Sequence, residues 1–259
     1  MEVVFIGTGG GRINLIRQVR GTGGFRINGP PNIHVDPGPG ALTSGLRRKQ
    51  SPLKLDAVIV THNHIDHAND AEVIIEGMCG YGLKHRGVLI GSKYTIDSDK
   101  AGDRAVSLYH QQMPAEVYVG KAGKKKTFET RHGEFALECT KAAHDTPDSF
   151  GFKLTVNGKV IGYTTDTEYY EGIEKVYSGC DLLIINVMKP AEDPYKGHMT
   201  SVEVEKLIKK AKPKLAVLTH FGMKMMWGTA EKIANEITKE TGVKTVAAED
   251  GKKIPEDSF

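Results

Sequence analysis

The sequence predicts an α/β fold in which sheets are covered by helices. Three observations carry that expectation. Short apolar strands crowd the first 35 residues, strand and helix signals alternate afterwards, and no linker, low-complexity tract or charge block divides the 259 residues. A chain of this length can form one large α/β domain or two small ones, and the unbroken pattern points to a single domain over residues 1–259.

Residues 2–6, 13–19, 24–28 and 32–35 read as short strands. The GTGGG stretch at 7–11 then reads as a tight turn, because NLIRQVR after it is strand-like and a phosphate-cradling glycine loop needs a helix there. DAVIVT, Asp56 to Thr61, is a buried strand. Beyond it Asp66 suits a helix N-cap, and Ala68, Ala71, Ile74, Ile75 and Met78 recur on one helical face with Gly80 as the stop. GFKLTVNGKVIGYT is a hairpin about Asn157–Gly158, a pair suited to a type I′ turn. DLLIINV is a buried strand, and Thr200 with Glu203 forms a capping box for a helix to about Lys212. A last helix near Thr229–Glu240 ends at Gly242, before the strand VKTVAA.

Composition narrows the function classes. Hydrophobic residues at 39% and charged residues at 26% fit a soluble globular protein. Cys79, Cys139 and Cys180 are far apart and odd in number, so they read as reduced core thiols and not as a zinc ribbon or disulfide scaffold. The start, MEVVFIGTGGG, has an acid at position 2 and a short apolar run, neither a signal peptide nor a membrane span, which leads us to expect a cytoplasmic protein. A net charge of +3 does not by itself imply nucleic acid. The basic clusters at Arg47–Lys49, at Lys121 with Lys124–Lys126, and along Lys206 to Lys214 read as solvated faces that permit an anionic substrate without requiring one.

The chemistry concentrates in VIVTHNHIDHAND, residues 58–70. His62 and His64 are two apart in a loop, and Asp66 and His67 follow where a helix begins. Neutral imidazoles with a carboxylate are the ligand set that borderline divalent ions such as zinc prefer. Four ligands within six residues exceed what one open catalytic ion needs, so two ions are expected, His62 and His64 serving one and Asp66 and His67 the other. Distant strand exits supply further candidates. ECTKAAH delivers His144, VIGYTTD delivers Asp166, and LAVLTH delivers His220. HDTPDS after His144 forms no credible serine triad, and its aspartates and serine read as polar loop groups.

THNHIDH resembles the HxHxDH signature of the metallo-β-lactamase superfamily, and His144, Asp166 and His220 follow in the order in which that family supplies its remaining ligands. The resemblance implies an αββα sandwich whose two similar halves meet at a binuclear site on one edge. It also implies that His62, His64 and His144 hold one ion, that Asp66, His67 and His220 hold the other, and that Asp166 bridges them. Zinc is expected, with manganese or iron as alternatives. Two such ions sharing a water would make hydrolysis the natural reaction. The di-iron relatives of this fold place a glutamate where this chain has His64, and no flavin-binding domain follows.

Further segments bear on the substrate. IHVDPGPG puts Asp36 where the family has an aspartate that orients the ligands, although an ordinary turn aspartate before Pro37 would read the same. GHMTSVEV resembles the HxT segment of the phosphodiesterase branch, which includes ribonuclease Z and a cyclic phosphodiesterase associated with carbon–phosphorus lyase, as do LTHFG and the opening FIGTGGG. The catalytic roles then fall to Asp66, at the second ion, and to His198, as donor to a phosphate oxygen or acid for the departing alkoxide. Only 31 residues separate Asp166 from His198 and they read as a helix and a strand, so no arm comparable to the one with which ribonuclease Z grips transfer RNA is evident. The expected substrate is therefore a small anionic phosphodiester, with RNA, and a homo-oligomeric state, left open. A thioester or lactone hydrolase of the glyoxalase II type and a non-hydrolytic metal-binding sensor are the alternatives.

Overall fold

The computed structural model describes residues 1–98, 101–146 and 148–259. Two seven-stranded sheets pack face to face. The first runs through β1 (Glu2–Phe5), β2 (Phe25–Asn28), β3 (Ile33–Val35), β4 (Ala57–Val60), β5 (Val88–Gly91) and β6 (Glu116–Val119) in chain order. The second runs likewise through β7 (Lys125–Thr130), β8 (Gly133–Lys141), β9 (Phe150–Val156), β10 (Lys159–Tyr163), β11 (Leu182–Asn186), β12 (Leu215–Thr219) and β13 (Thr245–Ala247). A last strand, β14 (Lys253–Pro255), crosses back to pair with β1. Each half of the chain thus builds one sheet, giving the two similar halves that the family resemblance implies.

The layering follows from strand alternation. Ala57, Ile59, Val88 and Ile90 point into the core between the sheets, whereas Val58, Val60 and Leu89 pack under the helix Ala71–Met78. The second sheet mirrors this. Leu182, Ile184, Leu215 and Val217 face inward, and Leu183, Ile185, Ala216 and Leu218 meet the helices Ser201–Ala211 and Thr229–Thr241. Both faces of these parallel strands are covered, which is why they read as unbroken apolar runs and not as alternating ones. The result is an α/β sandwich of helix, sheet, sheet and helix.

Local signals behave as their chemistry requires. Asn157 (φ 50°) and Gly158 (φ 74°) both adopt positive φ at the β9–β10 hairpin, as a type I′ turn demands. The Thr200–Glu203 capping box is formed, and Lys212 and Gly242 close their helices in left-handed conformations.

Two expectations are corrected. Residues 13–19 are not a strand: Gly11–Arg17 is a helix, anchored by buried Asn14, whose amide side chain bonds the backbone of Arg20 at both ends. Ile13 and Ile16 lie exposed. GTGGG therefore links a strand to a helix, not to another strand. Asp66 is not an N-cap. His64 holds that position for the short helix Ile65–Ala68, and the apolar face continues in the separate helix Ala71–Met78. Ala68, Ala71, Ile74, Ile75 and Met78 are nevertheless all buried together. Among the described residues no helix is long and apolar enough to cross a membrane.

Candidate metal centre

The polar loops that leave β3, β4, β8, β10 and β12 meet at one edge of the sandwich. Phe150 N–H donates to the Thr61 carbonyl, and the hydroxyls of Thr61 and Thr165 are 2.6 Å apart, so the two sheets are joined where their parallel strands end. Asp36, Thr165 and His220 sit there with φ of 50°, 54° and 61°. Left-handed backbone at a non-glycine residue costs on the order of 1–3 kcal/mol, and such strain persists only where surrounding bonds determine the conformation. Here they do. Asp36 N–H donates to the Ile59 carbonyl and Phe221 N–H to that of Thr8.

All seven candidate ligands converge at this edge. The ligand atoms of His62, His64, His144 and Asp166 lie within 4.8 Å of one another, as do those of Asp66, His67 and His220. Asp166 links the two groups, its Oδ2 being 3.9 Å from His62 Nε2 and 3.3 Å from His67 Nε2, and its Oδ1 3.4 Å from His220 Nδ1. His198 comes close as well. Its Nδ1 is 3.8 Å from Asp166 Oδ2, and it forms a third group with Asp166 and His220. The sequence had kept His198 apart from the ligands, and the fold brings it within their reach.

A backbone carbonyl and a carboxylate set which nitrogens face inward. His144 Nδ1 donates to the Gly197 carbonyl at 2.9 Å, and His67 Nδ1 to Asp36 at 3.0 Å, so each presents Nε2 to the cluster. His67 Nε2 and His220 Nε2 are 3.0 Å apart, two nitrogens with room for one positive charge between them. Gly11 N–H donates to Asp66 Oδ2 at 3.0 Å, and a Cβ on Gly10 would stand 2.2 Å from the His220 ring. The glycine loop thus lets backbone approach the second ligand group where any side chain would displace it.

The electrostatics suit a cation. Burial opposes a charged imidazole at His67, yet the carboxylates of Asp166, Asp36 and Asp66 outweigh it and raise the pKa well above the usual value. At His62 burial wins, with the charge of His67 adding to it, and the ring is held well below its ordinary range. Burial would lift the Asp166 carboxyl, but His220, His198 and His67 pull it well below. Burial likewise works to raise Asp66, and His67 and His220 reverse it. His62 Nε2 and His220 Nδ1 are buried without a hydrogen-bond partner. Orphaned buried nitrogens cost about 1–3 kcal/mol each, and divalent ions drawn to three carboxylates would satisfy them. The donor set fits the ions that the sequence predicts.

Several supports escaped the sequence. Asn186 donates to Asp166 Oδ1 at 2.7 Å and to Tyr163 Oη at 3.1 Å, and Tyr163 in turn donates to Asp36 at 3.0 Å. The polar end of the otherwise apolar LLIIN was the available signal. Asp145, read as a loop polar group, has Oδ1 3.1 Å from His144 Nε2 and 3.6 Å from His64 Nε2. Asp36 is more than a turn residue: it accepts from Thr61 N, Thr61 Oγ1, Tyr163 and His67. Asp36→Ala is expected to weaken metal affinity about 10- to 100-fold, because His67 loses the partner that orients it. Competition against a chromogenic chelator measures this, and an unchanged affinity would reduce Asp36 to a structural role.

Comparison with known proteins agrees with this architecture. Residues 31–221 match the family described as a beta-lactamase superfamily domain. An uncharacterised protein of Methanocaldococcus jannaschii is 34% identical over 258 residues, 98% of this chain and 94% of that one. A ribonuclease Z of Thermococcus onnurineus is 25% identical over 267 residues, 85% of this chain and 84% of that one. The crystal structure of the metallo-β-lactamase fold protein YhfI from Bacillus subtilis superposes with a TM-score of 0.78 at 22% identity, covering 98% of each chain. With histidines and aspartates from both sheets gathered at one edge, and the match spanning most of the chain, this protein belongs to the metallo-β-lactamase superfamily.

Proposed function

We propose that the protein is a binuclear metal-dependent phosphodiesterase acting on small anionic diesters. His62, His64 and His144 would hold one ion, Asp66, His67 and His220 the other, with Asp166 shared. Zinc suits the imidazole-rich set best, and manganese or iron would fit the same donors. When bound, two such ions would lower the pKa of a water shared between them and offset the charge that builds on a phosphate in the transition state.

The observation that carries the phosphodiester reading is the placement of His198. Its ring lies parallel to that of His220, 16° between planes with centroids 5.8 Å apart, and edge-on to His144 at 5.1 Å. Burial lowers its pKa to about 4, with the charges of His220 and His144 acting in the same sense against Asp166. A neutral imidazole follows at pH 7. It serves as an N–H donor to a non-bridging phosphate oxygen, whereas giving a proton to a departing alkoxide draws on its imidazolium form, whose share falls as pH rises above about 4. A thioester or lactone offers no such anionic oxygen in its ground state. The similarity to ribonuclease Z keeps RNA as the competing substrate class. The short segment between Asp166 and His198, a helix Ile173–Val176 with β11 and its loop, favours the small diester.

Purified protein is expected to carry close to two equivalents of divalent metal and to hydrolyse bis(p-nitrophenyl) phosphate faster than S-lactoylglutathione or lactones. Chelation should abolish turnover and re-addition restore it. Full activity in protein shown metal-free by elemental analysis would sink the mechanism. Preference for the thioester or lactone would select the glyoxalase II type, and metal retention with no hydrolysis of any of them would select the sensor.

A further inference from the structure

Beyond the metal cluster, the wall that His198 begins continues outward to an exposed aromatic ring. Tyr195 is 55% exposed, yet its carbonyl accepts the His198 N–H at 3.2 Å, a tight turn that fixes the two side chains relative to each other. Their ring centroids are 5.7 Å apart with 39° between planes. His220, His198 and Tyr195 therefore form a row of rings leading from the buried ligands to solvent. Positive charge accompanies the outer ring. Asp193 is shared by Lys189 at 2.5 Å and Lys224 at 3.2 Å, two ammonium groups on one carboxylate. Lys189 Nζ lies 5.8 Å from the Tyr195 centroid.

An accessible ring draws a flat partner, because every nucleobase has a π-face that stacks without regard to sequence. Surplus cation beside that ring favours a partner that also carries phosphate. We propose that Tyr195 is the stacking platform for the base of a nucleoside phosphodiester, so that the substrate is a nucleotide and not an alkyl or sugar diester. The proposal rests on the phosphodiesterase reading for its reaction, but not for its binding step. The base lies on Tyr195, the phosphate reaches inward past His198, and the leaving group departs on the far side of the cluster. Tyr195 acts on specificity and takes no part in proton transfer.

A matched pair of substrates isolates the effect. Thymidine 5′-(p-nitrophenyl phosphate) and methyl p-nitrophenyl phosphate share the leaving group and differ in the nucleoside. The parent protein is expected to prefer the thymidine ester in kcat/KM, mainly through a lower KM. In Tyr195→Ala that preference should fall about tenfold, and in Tyr195→Phe it should return. A parent protein with no preference, or a Tyr195→Ala protein that keeps it, overturns the proposal. If the parent hydrolyses neither ester, the reaction has been misread and the platform is judged by calorimetry alone. Thymidine 5′-monophosphate should then bind the metal-loaded parent about tenfold more tightly than it binds Tyr195→Ala, and equal affinities overturn the platform. Inhibition by decauridylate at equal nucleotide concentration tells the sources apart. No gain over the mononucleotide assigns the ring to a free nucleotide, and a large gain assigns it to RNA.

Discussion

Asp166→Ala is expected to lower phosphodiester hydrolysis by about a thousandfold or more and to deplete both ions. The geometry explains why this change should exceed the loss of any one terminal histidine. Asp166 stands within 4 Å of His62, His67, His198 and His220, so it belongs to the group of His62, His64 and His144 and also reaches two members of the group of Asp66, His67 and His220. Two divalent cations held a few Å apart repel strongly at low dielectric, and a shared carboxylate offsets that repulsion for both. Alanine also takes from the Asn186 amide the closer of its two acceptors, Asp166 Oδ1 at 2.7 Å, and leaves it Tyr163 Oη at 3.1 Å. Elemental analysis after gel filtration should find less metal in Asp166→Ala than in His144→Ala. Two retained equivalents with parental turnover would remove Asp166 from the site.

His198→Ala is expected to keep its metal and fold while losing about 10²- to 10⁴-fold in kcat on a diester with an alkyl leaving group. The loss should be smaller with p-nitrophenolate, which departs without a proton. This difference between leaving groups is the signature of proton donation, whereas equal losses would mark a hydrogen bond to the non-bridging oxygen alone. The structure adds a competing outcome, because Asp166, His198 and His220 are themselves close enough to share an ion. Metal loss in His198→Ala would make the residue a ligand. Parental rates on every diester would remove the main support for phosphodiester over thioester or lactone.

Much of this centre was legible because its signals are local. HNHIDH concentrates four candidate ligands within six residues, and the polar ends of VIGYTTD and LAVLTH interrupt apolar runs where packing alone would continue them. β4 and β12 are buried on both faces and β10 is buried at its end, so a histidine or aspartate at the exit stands out against the run before it. Alternation misled at Gly11–Arg17. Ile13 and Ile16, three apart, share one side of the helix, and their exposure shows that this spacing did not serve burial. What anchors that helix is one buried asparagine, a bond of the kind that no periodicity records.

The sequence by itself pointed out the candidate ligands and determined the Thr200–Glu203 capping box, the Asn157–Gly158 turn and the apolar runs that sort into layers, since each depends on residues a few positions apart. Only the tertiary structure decided that Gly10 must lack a side chain against His220, that Gly11 N–H holds Asp66, and that Asn186, Tyr163 and Asp36 form one chain of hydrogen bonds behind the ligands. It also placed His198 beside Asp166 and carried Tyr195 to the rim. These contacts join residues up to 210 positions apart, as His220 against Gly10 shows, and a preference that is set by packing across two sheets leaves no period or spacing in the chain.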